Sequence, residues 1–305
     1  MRKTFFVVSF VFVFLCACYA GAQANLVETY ELVDTWTGYE GIVNFGTIGA
    51  FAVDGDTLLA SIKYKGSNRV YRFSPDGDVL HYFDTGTVLA QGIAVDASGN
   101  IYCSFENHRI RKYTSEGKYL WGIGTDGIRA GEFKNPNGIL VHPNGYIYVV
   151  DTGNLRIQKF TANGKFVTQF GYDQFSGFED YECEPHSIAV GTDGNLYVGT
   201  CDNGIYIFSA DGSYLDKIYQ NPSCNGSSYS IYSISLAIDA NNNLFVPVEW
   251  YINSGYKSGI LNLSSGGACN LIEGTEMSGG AESIKALAVR AISQTSQELF
   301  VAVQA

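Results

Sequence analysis

The chain has 305 residues, enough for one large domain, and a formal net charge of −11. Its 30 Asp and Glu against 19 Lys and Arg repel phosphate, which counts against nucleic-acid binding as the main role. Only 16% of residues are charged, and Tyr, Asn, Ser and Gly are abundant, as suits an extracellular β-protein.

At the start of the chain, Arg2 and Lys3 precede an apolar run from Phe5 to Leu15 that gives way to small residues. Ala22-Gln23-Ala24 then offers an A-x-A cleavage site, so residues 1–24 read as a signal peptide and 25–305 as a single domain. The run is short for a membrane span. Leu15-Cys16-Ala17-Cys18 competes as a lipobox with a lipid anchor at Cys18, but Cys at its second place is unusual. Both readings predict export to an extracellular, periplasmic or cell-surface location. Cleavage removes two basic and no acidic residues and takes the charge to −13.

From about residue 45 onward one pattern recurs. An apolar position falls at Val53, Val95, Val141, Val190, Ile238 and Val289, at intervals of 42, 46, 49, 48 and 51 residues. Polar turns follow most of these marks, as at His142 to Gly145, where Gly and Asn accept positive φ. Next come apolar runs such as Ile147-Tyr148-Val149, then alternating strands such as Ile157-Gln158-Lys159-Phe160. A second turn and an outer strand complete each unit. Four short strands per unit of this length predict the blades of a β-propeller.

Residues 135–171, and less closely 89–124 and 185–218, resemble NHL repeats. The resemblance implies an all-β, six-bladed propeller. Its last blade, at Ile284 to Val289 and Glu298 to Val303, is incomplete or closed by an N-terminal strand within Leu26 to Trp36.

Mature cysteines are Cys103, Cys183, Cys201, Cys224 and Cys269. Cys183 precedes the first strand of the fourth unit and Cys201 follows its second strand. Antiparallel pairing brings those ends together and predicts a disulfide. Cys103 aligns with Val149 and is expected to be a buried free thiol. Nothing places Cys224 or Cys269. Asn225-Gly226-Ser227 and Asn262-Leu263-Ser264 are glycosylation sequons.

Ligand chemistry is expected on the rim bearing the long connections, because rigid scaffolds carry variable loops. These include Glu106 to Arg109, Asp151 to Arg156 and Glu249 to Ser258, with inter-blade loops 125–137, 172–186 and 220–232. Asp151, Asn154 and Arg156 are the strongest polar element. Their echo at Ser67-Asn68-Arg69 and Glu106-Asn107-His108-Arg109 favours a structural role over ligand binding. Pro185-His186 is similar to the Pro-His starts that hold zinc in peptidyl-α-hydroxyglycine α-amidating lyases. The equivalent places Gln91 and Asn137 carry no imidazole, and a zinc site needs three or four protein ligands, or three with water. Asp151, Asn137, Asn107 and Glu249 are oxygen donors of the kind a Ca²⁺ site uses.

The fifth unit replaces the short connection with an aromatic one, Glu249-Trp250-Tyr251-Ile252-Asn253-Ser254-Gly255-Tyr256. Phe175, Phe178 and Tyr181 lie in the loop before the fourth unit. Such aromatics either anchor a partner or cover the channel mouth. The reading is an exported scaffold for a protein or carbohydrate ligand, with Trp250, Tyr251, Tyr256, Glu249, Asn137, His186 and Asp151 as binding residues and no cofactor. The alternative is a Ca- or Zn-dependent hydrolase or lyase at the central channel.

Overall fold

The structure, a computed structural model, describes residues 10–16, 30–36, 47–75, 77–176, 184–200, 204–218, 223–224, 227–228, 230–231, 235–252, 255–264, 269–272, 283–291 and 296–304. Of the strands at 10–16, 30–36, 249–258, 283–291 and 296–304 only the backbone is described.

The chain is an all-β propeller. Blade one comprises Thr47–Asp54, Thr57–Tyr64, Ser67–Phe73 and Val79–Gly86, and blade two Ala90–Val95, Ile101–Phe105, Arg109–Tyr113 and Tyr119–Ile123. Blade three comprises Pro136–Val141, Ile147–Asp151, Arg156–Phe160 and Phe166–Phe170, and blade four Pro185–Val190, Leu196–Thr200, Gly204–Phe208 and Tyr214–Ile218. In blade five, Ser230–Ile231 and Ala237–Ile238 both pair with Leu244–Ile252, which continues to Gly255–Leu263 and Cys269–Ile272. Neighbouring strands within each blade are antiparallel.

The spacing predicts six blades, but the described residues form five, each built from consecutive strands. The sixth phase mark, Val289, lies instead in a sheet assembled from both ends of the chain, in the order 30–36, 10–16, 296–304, 283–291. That sheet sets 283–291 against the inner strand of blade one. The difference has a local cause: the segment around Val289 brings two strands, not the four a blade requires. Phe10–Cys16, inside the predicted signal peptide, is the second strand in this order.

The core lies between blades, where the face of one sheet meets the next. Ala50, Leu59 and Val70 of blade one pack with Ile93, Ile101, Cys103 and Phe105 of blade two. Ala94, Tyr102 and Ile110 of blade two pack likewise with Ile139, Ile147, Val149 and Phe160 of blade three. A strand sandwiched this way is covered on both faces, which explains why the second strands of blades two to four are buried throughout. Outer strands such as Phe166–Phe170 alternate in exposure. Each fully enclosed side chain, Tyr148 or Phe208 for example, contributes about 1.5–3 kcal/mol.

Turn chemistry fixes the short-turn rim. Gly145 closes its hairpin at φ 85°, and Asn242 takes the matching corner of blade five at φ 63°. In blade two, Asp96 accepts from the backbone N–H groups of Ser98 and Asn100 at 3.0 and 2.9 Å and from the Tyr102 hydroxyl at 3.0 Å. Lys112 lies 3.2 Å away and covers the Tyr102 ring at 4.6 Å. Burial works against ionisation here. The Asn100 side chain and backbone, Lys112 and Tyr102 outweigh it and hold the Asp96 carboxyl at about 2. Cys103 is free and buried, and burial pushes its thiol up to about 12. Asn262 is 3% exposed, so the second sequon is closed within its strand.

Candidate functional site

The long-loop rim is built most firmly at blade three. Asp151 ends the second strand of that blade and is fully buried. Its Oδ1 accepts from the Lys134 backbone N–H at 2.7 Å. Its Oδ2 accepts from Arg156 Nε at 2.8 Å, and from Asn154 Nδ2 and Gln158 Nε2, each at 2.9 Å. Arg156 spends its remaining N–H groups on the carbonyls of Ile128, Arg129 and Glu132 and on Gln169 Oε1. One carboxylate and one guanidinium thus fasten the loop 125–137 to its blade, in the charge-assisted geometry that holds best away from water. Thr152 donates to the Pro185 carbonyl at 2.8 Å and carries the tie into blade four.

The echoes of this element are looser. Arg109 donates to the Gly124 carbonyl, and Arg69 donates to Asp84 at 2.9 Å in an exposed pair. Asn107 is exposed.

The inner strands enclose a central cavity of about 260 Å³ whose polar lining comes from Gln91, Asn137, His186, Ser187 and Ser235. Gln91, Asn137 and His186 each stand four residues before a phase mark and second in an inner strand, close to the long-loop rim. Asn137 Nδ2 and His186 Nδ1 are 3.3 Å apart, and His186 Nε2 is 3.8 Å from Glu184 Oε2. Burial lowers the His186 pKa, with Glu184 opposing, so the ring is neutral at physiological pH. Gln91 Nε2 donates to Glu106 Oε1 at 3.0 Å.

Of the residues expected from sequence, Asn137 and His186 therefore meet in the channel. Asp151 does not line it; its carboxylate is enclosed by its own blade. Glu249, Trp250, Tyr251 and Tyr256 form no irregular loop. They lie in a hairpin, with Trp250 opposite Lys257 and Tyr251 opposite Tyr256. Trp250, Tyr251 and Ile252 are bulky residues of high strand propensity, so the chain extends the ladder instead of leaving it. Leu244–Ile252 has nine residues where Ile147–Asp151 has five, and four extra residues raise the hairpin by about 13 Å at roughly 3.3 Å each.

Phe175 is buried against Tyr206 and Phe208 at 5.2 and 5.9 Å, anchoring its own loop. Exposed instead on this rim are Ile128 and Tyr172, at 76% and 58%. Phe178, Tyr181, Cys183, Cys201 and Cys18 lie outside the described residues. Sequence reasoning named Gln91 only as a place without an imidazole and Glu106 only within a repeated turn element, and gave neither these nor Glu184 a site role. The four-before-the-mark position could have singled out Gln91, and proximity to the strand ends the two glutamates.

As for metals, the cavity offers one imidazole and two amides, which do not make the three-ligand zinc site the lyase resemblance implies. Among the described residues no group of three or more His, Cys, Asp or Glu is arranged to hold a metal ion. Nor, among them, is any helix long and apolar enough to cross a membrane.

The fold and channel define a β-propeller of sequence repeats. Residues 133–160 match the NHL repeat model, and the chain is similar to NHL-repeat proteins. It is 27% identical over 188 residues to human NHL repeat-containing protein 3, covering 54% of this chain and 53% of that protein. It is 29% identical over 130 residues to the Drosophila melanogaster protein brain tumor, covering 41% of this chain and 12% of the other. The match thus spans about half, or less, of these relatives. A catalytically inactive virginiamycin B lyase from Staphylococcus aureus shares the fold with a TM-score of 0.56 and 16% identity, over 91% of this chain and 86% of that one.

Proposed function

We propose that this NHL-repeat propeller is an exported scaffold that binds a protein, or a glycan, on its long-loop rim. The projecting hairpin of blade five carries the reading. It lifts the positions of Trp250, Tyr251 and Tyr256 above a rim that already exposes Ile128 and Tyr172. Aromatic anchors on a rigid support are the composition of an energetic hot spot. Loop 125–137, which carries Ile128, is fastened to its blade by the Asp151–Arg156 network.

The test is quantitative binding of extracellular proteins and glycans to the immobilised protein. Trp250→Ala with Tyr251→Ala, and separately Ile128→Asp, should abolish capture, while Leu80→Asp on an outer strand should leave it unchanged. Equal capture by all variants would refute the rim assignment. Export belongs to the same proposal and is checked by mass measurement of the secreted chain, expected to begin at Asn25.

A further inference from the structure

The channel mouth has a polarity set by its own hydrogen bonds. A carboxylate only accepts, so the Gln91 amide must turn its NH₂ toward Glu106, and Gln91 Oε1 faces away from it. Two blades on, Glu184 beside His186 Nε2 favours the proton on that nitrogen and leaves Nδ1 as an acceptor. Asn137 then donates through Nδ2 and turns its Oδ1 outward. Both amides of the lining therefore spend donors on their neighbours and offer acceptors to the cavity. The flanking charges at this end are the carboxylates of Glu106 and Glu184. The arginines of the rim are engaged elsewhere: Arg156 on Asp151 and loop carbonyls, Arg109 on Gly124, Arg69 on Asp84. The stem of Lys134 lies against Gly153.

We propose that this mouth takes a primary ammonium group, that of a lysine side chain on the protein docked at the long-loop rim. The proposal rests on the docking reading above and names the chemistry of the partner. An ammonium brings three donors and no acceptor, the complement of two amide oxygens beside carboxylates. A cavity of about 260 Å³ falls below the ~300–1,000 Å³ of pockets for drug-sized ligands and suits one extended chain. The net charge of −11 draws a basic partner toward the same face.

The probe is acetyl-Gly-Lys-Gly-amide, titrated against the full chain and followed by ligand-observed NMR, beside its Nε-acetylated form and acetyl-Gly-Asp-Gly-amide. The lysine peptide should bind in the millimolar range, and acetylation should weaken it about tenfold or more. Asn137→Leu and Glu106→Gln should each weaken it several-fold with unchanged circular dichroism. Because Glu106 is exposed, its variant keeps the test valid if the channel substitution disturbs folding. Equal binding of the acetylated or acidic peptide, or no binding of the lysine peptide, would overturn the proposal. If the lysine peptide fails while Ile128→Asp still abolishes partner capture, the ammonium site falls and the docking reading stands. If the lysine peptide binds and the rim variants keep their partner, the docking reading falls, and with it the assignment of the lysine to a docked protein.

Discussion

Two polar regions of the same propeller differ in how their hydrogen-bonding capacity is spent. Around Asp151 and Arg156 the named groups are enclosed and engaged in closed pairs with one another and with loop carbonyls. At Gln91, Asn137 and His186 the side chains are half-buried, border a cavity, and use one end of each amide on a neighbour. The first region carries the more conspicuous sequence pattern and does architectural work. The second is inconspicuous in sequence and keeps acceptors for something else. Prominence in a repeat is thus a guide to what the repeat needs, and a poor guide to what the protein binds.

That contrast is most directly attacked at Asp151. Asp151→Ala leaves the Arg156 guanidinium, the Gln158 amide and the Lys134 N–H without their shared acceptor. A loss of about 3–5 kcal/mol in urea-induced unfolding is expected, as when one partner of a buried pair is removed. If the two regions are as different as they look, His186→Gln should by comparison cost less than about 1 kcal/mol, the range of a single half-exposed hydrogen bond. A His186 variant as damaging as the Asp151 variant would erase the distinction.

Between these extremes stands Gly92→Ala. A Cβ there would sit 2.5 Å from the Asn137 carbonyl oxygen, and thermal unfolding should register a loss of about 1–3 kcal/mol from overpacking.

A comparably small effect belongs to the opposite rim. The folded Asp96 carboxyl titrates near 2 against an ordinary 3.8, so its contribution is complete above about 4 and fades as pH falls toward 2. Asp96→Asn should cost about 1 kcal/mol at neutral pH and remove that part of the acid dependence, read from unfolding midpoints across the same interval.

Much of the architecture was legible because strands and turns are local. Val53, Val95, Val141, Val190 and Ile238 all fall in inner strands, and the turn at Pro143-Asn144-Gly145 follows where the residues demand it. The blade count was less legible, since counting phase marks assumes that each lies in the first of four consecutive strands. Around Val289 that assumption fails. The segment Glu249 to Tyr256 misled for a related reason. Its length implied a loop, while its residue types favoured continued pairing, and pairing won. The cavity could be anticipated only in part. The Pro-His resemblance brought out His186, with Asn137 at the equivalent place, but the glutamates beside the lining, Glu184 at His186 and Glu106 at Gln91, are set by tertiary approach and leave no periodic trace.

Gly92 and Gly138 hold equivalent places on adjacent inner strands, where an added Cβ would meet the next blade's carbonyl oxygen at 2.5 and 2.8 Å. In an open stack of sheets such crowding could be relieved by sliding one layer outward. Blades two and three each have a neighbour on both sides, so a displacement at one seam is passed to the next. The missing methyl groups therefore act as a gauge for the circumference, and the width of the channel is set by side chains that are absent.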